Sequence, residues 1–203
     1  EETPNRVAVI GGGAIGCEFA SLLNDLGSSV TLLESLDEIL PGCDKDVSTA
    51  VRRSFIKKGI DIQTGVQVEG HEGDAEKTTV SWSDKGEVNQ REVDLVVVAV
   101  GRKPNGYTAG LQDTEVVVDE KGFVEVDEKL RTKEEGVWAA GDVINTPQLA
   151  HVGFAEGIFV VKEILGESPV EIDPSTVPWC IYCDPEVAFA GLTEESAKTS
   201  GYK

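Results

Sequence analysis

The sequence of 203 residues contains no methionine and few basic side chains. Its 18 Lys and Arg residues stand against 37 Asp and Glu residues, which gives a net charge of −19. Such an acidic chain repels phosphate backbones, so we expect no nucleic-acid partner. No apolar run approaches the roughly 20 residues that a membrane-spanning helix needs, and we therefore expect no membrane partner.

Cysteine is also scarce, with Cys17, Cys43, Cys180 and Cys183 as its four positions. This number and spacing do not suit a disulfide framework and favour a reducing compartment, so a cytoplasmic location is expected. Cys180 and Cys183 have the spacing of a redox or zinc pair. However, they fall in a predicted strand that would direct them to opposite faces, and no second Cys/His pair accompanies them. We predict no metal site.

Strand-type and helix-type segments alternate along the first third of the chain. An apolar strand at 7–10 precedes a helix, a second strand at 30–34, a second helix ended by Gly59, and a third strand near residue 60. The first helix carries an apolar stripe formed by Ile15, Phe19, Leu22, Leu23 and Leu26. This alternation predicts a parallel sheet covered on both faces.

The pattern changes after residue 65. Residues 66–68 and 78–82 alternate apolar and polar side chains around the turns GDAEK and SDKGE, which predicts an antiparallel meander. The run VDLVVVAV at 93–100 is expected to be a fully buried central strand, and a helix is expected from about 150 to 165. The predicted fold class is therefore α/β, with a Rossmann-like parallel sheet and an antiparallel meander.

Glycines follow the first strand in the pattern Gly-x-Gly-x-x-Gly, at Gly11, Gly13 and Gly16. The first glycine permits a tight turn, the second lets a pyrophosphate approach the backbone, and the third lets helix and strand pack closely. Glu34 ends the next strand, where its carboxylate can accept hydrogen bonds from an adenosine ribose and would repel a 2′-phosphate. The pattern predicts a dinucleotide site that prefers NAD to NADP.

Six blocks extend this interpretation: GGGAIGCEFASLL, VTLLESLDEILPGCD, VAVGRKPN, VWAAGDV, LAHVGFAEGI and PEVAFAGLTEESAKTSGY. Together they resemble the dihydrolipoamide dehydrogenases of the pyridine nucleotide-disulfide oxidoreductase family. The resemblance implies an NAD-binding domain at 5–125, the C-terminal part of an FAD-binding domain at 126–168, and the start of an α+β dimerisation (interface) domain at 169–203. With the missing methionine, it indicates that the chain is part of a longer protein.

The resemblance also implies particular site residues and two cofactors, NAD and FAD. Glu18 would support hydride transfer by pairing with a lysine that lies upstream of this chain. The implied NAD contacts are Gly11, Gly12, Gly13, Ala14, Ile15, Gly16, Cys17, Glu18, Glu34, Val68 and Gly101. The implied FAD contacts are Asp142, Gln148, Leu149, Ala150 and His151.

By the same resemblance, the whole enzyme would be a homodimer that oxidises dihydrolipoamide carried on the lipoyl domains of a 2-oxoacid dehydrogenase complex. Its redox C-x4-C pair, its first glycine motif and its acid–base histidine have no counterpart in this sequence. We therefore expect the chain alone to be catalytically incomplete. Two alternatives remain: another flavoprotein disulfide reductase, such as a mercuric or glutathione reductase or a soluble transhydrogenase, and a flavin-free NAD-binding module.

Overall fold

The computed structural model describes residues 2–74 and 77–202, so part of the predicted GDAEK turn lies outside the described residues. The chain forms two compact units. One comprises Glu1–Gly101 together with Pro178–Lys203, and the other is Arg102–Val177. The predicted domain bounds concern a longer protein and remain predictions.

A parallel sheet lies at the centre of the first unit. Its strands are β1 (Arg6–Ile10), β2 (Ser29–Glu34), β3 (Asp61–Thr64) and β7 (Leu95–Val98). Strands β4 to β6 belong to the meander described below. The order across the sheet is β3-β2-β1-β7, with every neighbouring pair parallel. The fully buried apolar residues of β1 and β2 form the centre of the core, which confirms the predicted α/β class.

Two helices connect these strands, α1 (Ala14–Asp25) and α2 (Lys45–Lys58). Asp44 occupies the N-cap of α2, and Gly59 ends this helix in a left-handed conformation with φ +89°. Val51 and Phe55 on its inner face are both 0% exposed. The second predicted helix and its glycine end are thus confirmed.

The apolar stripe predicted for α1 does not form its buried face. Four of its five members are exposed, namely Ile15, Phe19, Leu22 and Leu26. The face that contacts the sheet consists mainly of small residues: Gly16, Cys17, Ala20 and Ser21, with Leu23. The small side chains form the buried face because they let the helix axis lie close to β1, which bulky side chains would prevent.

The predicted meander is confirmed as an antiparallel sheet of β4 (Gln67–Gly73), β5 (Thr78–Asp84) and β6 (Glu87–Val93). The prediction of a fully buried central strand at 93–100 is wrong. β7 lies at the edge of the sheet, pairs with β1, and leaves Val98 66% exposed. The sequence run suits a central strand, but among the described residues no strand covers its outer edge.

A hairpin and a short helix complete the first unit: β8 (Trp179–Ile181), β9 (Val187–Phe189) and α4 (Glu194–Thr199). Ile181, Cys183 and Val187 belong to the same apolar cluster as Cys17 and Ala20 of α1. The hairpin therefore packs on α1 and shares the core of the parallel sheet.

The second unit is largely irregular and contains one long helix, α3 (Ala150–Ile164), as predicted. Short 3-10 turns lie at Gly106–Thr108 and Pro174–Thr176. Within the part of the chain that the structure describes, no helix has the length and apolar character needed to cross a bilayer.

Candidate nucleotide-binding site

The turn from β1 to α1 is built so tightly that it requires glycine at two positions. Gly11 has φ +103°, and a Cβ added there would lie 2.4 Å from the carbonyl oxygen of Ala99. A Cβ on Gly16 would lie 1.8 Å from the carbonyl oxygen of Gly11. Because both obstacles are backbone atoms, no side-chain rotation could relieve them.

Gly13 is the open position of this turn. Apart from its chain neighbours, no heavy atom of the described residues lies within 4 Å of a Cβ added there. Gly13 is the N-cap of α1, with an ordinary extended backbone of φ −71° and ψ −173°. The first-turn amides of a helix have no intrahelical acceptors and favour an anion. Gly13 therefore leaves this helix terminus open, with the first-turn amides available to an anionic group.

Glu34 lies beside this space and is held in one orientation. Its Oε2 accepts a hydrogen bond of 2.5 Å from the amide of Gly12, while its Oε1 accepts bonds of 2.8 Å from the amide of Leu36 and 3.1 Å from the Ser35 hydroxyl. The side chain is only 7% exposed. A carboxylate has about four lone-pair positions, so this arrangement still provides an acceptor for a ligand hydroxyl.

The other α1 residues predicted to contact the coenzyme differ in exposure. Ala14 and Ile15 lie in the first turn, and Ile15 is exposed. Cys17 is buried, its thiol donates to the carbonyl oxygen of Gly12 at 3.3 Å, and burial raises its pKa well above the usual range. Glu18 is half-buried, and its Oε1 accepts a 2.9 Å hydrogen bond from the backbone N–H of Tyr182.

Val68 and Gly101 lie on segments that reach the same edge of the sheet. Val68 is half-buried in β4, two residues after Val66, whose amide donates to the carbonyl oxygen of Glu34 at 3.1 Å. Gly101 has φ +121° and lies two residues after Ala99, whose amide donates to the carbonyl oxygen of Ile10 at 2.7 Å. Both segments therefore pass the carboxyl ends of β1 and β2, where open α/β sheets bind ligands.

The predicted FAD contacts form a second group, within the Arg102–Val177 unit. The side-chain amide of Gln148 donates to the carbonyl oxygen of Asp142 at 3.3 Å. Leu149 is the N-cap of α3, and Ala150 and His151 are exposed in its first turn. The carboxylate of Asp142 pairs with Arg102. This helix terminus with its partly exposed surroundings fits an electron-rich ligand.

Comparison with known proteins identifies the family to which the chain belongs. The sequence profile described as "Pyridine nucleotide-disulphide oxidoreductase" matches residues 1–157. The chain belongs to this family. It is 40% identical to the dihydrolipoyl dehydrogenase of Cupriavidus necator over 98% of its own length, and 40% identical to that of Haloferax volcanii over 100%. It spans only 42% and 43% of the length of these two relatives.

Solved structures of flavoprotein disulfide reductases have the same fold as this member of the family. The HOCl-induced flavoprotein disulfide reductase RclA from Escherichia coli matches 98% of the chain with a TM-score of 0.90 and 32% identity. LpdA from Mycobacterium tuberculosis matches 98% with a TM-score of 0.89 and 26% identity. The chain covers 45% and 43% of these two structures.

The four cysteines are free thiols in the structure of this family member. Cys180 is exposed and Cys183 is buried. The prediction that both lie in one strand is wrong, because β8 ends at Ile181 and Cys183 lies in the bend that follows. Burial raises the pKa of Cys183 to about 11, so its thiol is protonated near neutral pH. Among the described residues, no group of three or more His, Cys, Asp or Glu side chains is arranged to hold a metal ion.

Sequence reasoning missed three residues that bond to the predicted NAD and FAD contacts or to their chain neighbours. Tyr182 contacts Glu18 through its amide, Arg102 pairs with Asp142, and Glu156 of α3 accepts a 2.5 Å hydrogen bond from the amide of Gly141. Glu156 is 2% exposed. Its signal was available, since an acid in the apolar stretch FAEGIF of α3 requires a buried partner. The contacts of Arg102 and Tyr182 carry no sequence signal.

Proposed function

We propose that the first unit binds NAD and that the whole protein is a dihydrolipoyl dehydrogenase, which oxidises dihydrolipoamide to lipoamide. The observation that carries this proposal is the open space above Gly13 beside the fixed carboxylate of Glu34. An anion-binding helix terminus next to a hydroxyl acceptor matches the two ends of an adenosine diphosphate group.

Each part of the site has a separate task in this proposal. The first-turn amides of α1 would hold the diphosphate, since the amides of Gly11 and Gly12 already donate to Leu33 and Glu34. Glu34 would accept a hydrogen bond from the ribose. Glu18 lies on the second turn of α1, towards the nicotinamide end, where it would pair with a lysine supplied by the remainder of the protein. The bound coenzyme would accept a hydride, and this chain would orient it.

Glu34 also explains the preference for NAD over NADP. Its carboxylate is fixed by three hydrogen bonds and is unable to turn away from an added phosphate. Two unit negative charges 4 Å apart repel each other by about 4 kcal/mol at an effective dielectric constant of 20, and mobile ions reduce this near the surface. We therefore expect NADP⁺ to bind about one to two orders of magnitude more weakly than NAD⁺.

The second unit would contribute to an FAD site. Asp142 and the residues from Gln148 to His151 would lie against the flavin, with the N-terminus of α3 favouring its negative charge. One face of α3 exposes Phe154, Ile158, Val161 and Leu165, the last residue following its end. This exposed apolar face supports the proposal that further protein covers the unit.

The same proposal includes the setting of the enzyme. Its substrate would be dihydrolipoamide carried on the lipoyl domains of a 2-oxoacid dehydrogenase complex, its active form would be a homodimer, and its location would be cytoplasmic. The similarity to RclA keeps a second candidate open, a flavoprotein disulfide reductase with another substrate. Activity measurements on the full-length protein with dihydrolipoamide and with other thiols would distinguish the two.

Calorimetric titration of the chain with NAD⁺ and NADP⁺ tests the coenzyme site. We expect tighter binding of NAD⁺, and we expect Glu34→Arg to narrow or reverse the preference. Glu34→Gln is the matched control, because it removes the charge but keeps an acceptor for the Gly12 amide. It should raise the NADP⁺ affinity without abolishing that of NAD⁺. Equal affinities for both coenzymes in the unmodified chain would contradict the proposal.

A further inference from the structure

The hairpin formed by β8 and β9 contacts α1 through two backbone amides as well as through its apolar side chains. The amide of Tyr182 donates to Oε1 of Glu18 at 2.9 Å, and the amide of Asp184 donates to Oγ of Ser21 at 3.0 Å. Glu18 and Ser21 are three residues apart and therefore share one face of α1. Both amides bond to this face, so the residues that follow β8 are held along the helix.

Tyr182 is available for this contact because it lies beyond the hairpin ladder. The last register pair of the hairpin joins Ile181 and Val187, so the next amide is not needed between the strands. Ile181 and Cys183 on either side are each 3% exposed and pack in the core, while Tyr182 is 73% exposed. The backbone at residue 182 is thus held firmly although its side chain lies in solvent.

Lys58, the last residue of α2, forms ion pairs that link the hairpin to α1. Nζ of Lys58 lies 2.5 Å from a carboxylate oxygen of Asp184 and 2.9 Å from one of Asp25, near the end of α1. The opposite end of the segment is held by the amide of Glu194, which donates to Oδ1 of Asp44 at 2.7 Å. Residues 178–202 are therefore attached to the rest of the first unit at several points.

We infer that the backbone N–H of Tyr182 is a positioning group for Glu18. It fixes Oε1 and so determines where the second carboxylate oxygen and the negative charge lie. This inference rests on the proposed function, in which Glu18 lies towards the nicotinamide end of NAD⁺ and pairs with a lysine from the remainder of the protein. Residues 178–203 would then complete the coenzyme site, in addition to any role in dimerisation.

Comparison of NAD⁺ with ADP-ribose, which lacks the nicotinamide, separates this role from general docking. In calorimetric titrations of the chain we expect NAD⁺ to bind more tightly than ADP-ribose. Tyr182→Pro removes the N–H and should reduce this preference roughly three- to tenfold, which lies in the lower part of the range of coupling between neighbouring groups. Tyr182→Ala keeps the N–H and should leave the preference unchanged.

Two further variants distinguish positioning from loss of structure. Ser21→Ala removes the acceptor of the Asp184 amide, so it should lower the thermal unfolding midpoint while the NAD⁺ to ADP-ribose preference stays the same. In a Glu18→Ala background, Tyr182→Pro should cause no additional loss of preference. An equal loss in both backgrounds, or no loss in either, would overturn the inference.

Amide exchange provides a test that does not depend on the proline variant folding. The chain has three tyrosines, so ¹⁵N-tyrosine labelling gives a small set of amide signals. The Tyr182 amide should exchange faster in Glu18→Ala, and NAD⁺ should protect it more than ADP-ribose does. Equal protection by both ligands would refute the positioning role. Binding of neither ligand to the unmodified chain would instead refute the proposed function.

Discussion

Replacing two glycines of the β1–α1 turn by alanine should separate binding from folding. At Gly13 an added methyl group meets no described atom within 4 Å beyond its chain neighbours, and φ is −71°. Alanine is a poorer N-cap than glycine by up to about 1 kcal/mol. The lower entropy of the unfolded chain offsets this by roughly 0.4–1 kcal/mol. The free energy of unfolding should therefore change by less than about 1 kcal/mol.

At Gly16 the same methyl group would lie 1.8 Å from the carbonyl oxygen of Gly11. Carbon and oxygen atoms in contact are separated by roughly 3.3 Å, so helix and turn would have to move apart by about 1.5 Å. Helix propensity favours alanine by about 1 kcal/mol, but overpacking that forces the backbone to shift costs about 3 kcal/mol, the upper end of its usual range. We expect a net loss of roughly 2 kcal/mol and a fall in Tm of about 4–8 °C.

For NAD⁺ binding the order of the two variants should be reversed: relative to the stability that it loses, Gly13→Ala should lose more affinity than Gly16→Ala. Gly13→Ala should weaken binding at least tenfold, about 1.4 kcal/mol, because its methyl group would occupy the space of the diphosphate. Urea denaturation and calorimetry on both variants measure the two effects. Wild-type affinity in Gly13→Ala, or wild-type stability in Gly16→Ala, would show that the reasoning about this turn is wrong.

Two other predictions concern the cysteine thiols and the buried carboxylate of Glu156. Iodoacetamide at pH 8 should modify Cys180 first, because it is exposed whereas Cys17 is buried with a raised pKa. Intact-mass measurements should show that the Cys180→Ser variant stays unlabelled over the same period. Early labelling of Cys17 would contradict the structure. Glu156→Ala should lower the free energy of unfolding of the Arg102–Val177 unit by roughly 2 kcal/mol, because the amide of Gly141 loses its acceptor. Glu156→Gln keeps an acceptor and should cost less than about 1 kcal/mol in the same urea titration; equal losses in the two variants would rule out this explanation.

Local patterns in the sequence predicted the elements around the site because each depends on neighbouring residues. The alternation of apolar runs with capped helices predicted β1, α1, β2, α2 and β3, and the glycine spacing predicted the turn between the first two. Gly59 ends α2 as expected because its left-handed conformation suits glycine in any context. The resemblance carried by the six sequence blocks was confirmed as family membership, while the site residues stay predictions.

The tertiary structure decided the features that depend on what lies opposite each residue. The apolar stripe of α1 was the wrong face, because a small-residue surface allows the closer approach to β1 and only the packed structure reveals which face meets the sheet. The strand at 95–98 has the composition of a central strand, yet its position at an edge follows from the pairing around it. The contact between Tyr182 and Glu18 joins residues far apart in the chain through a backbone amide, a group that every residue but proline possesses, and so no sequence pattern could have indicated it.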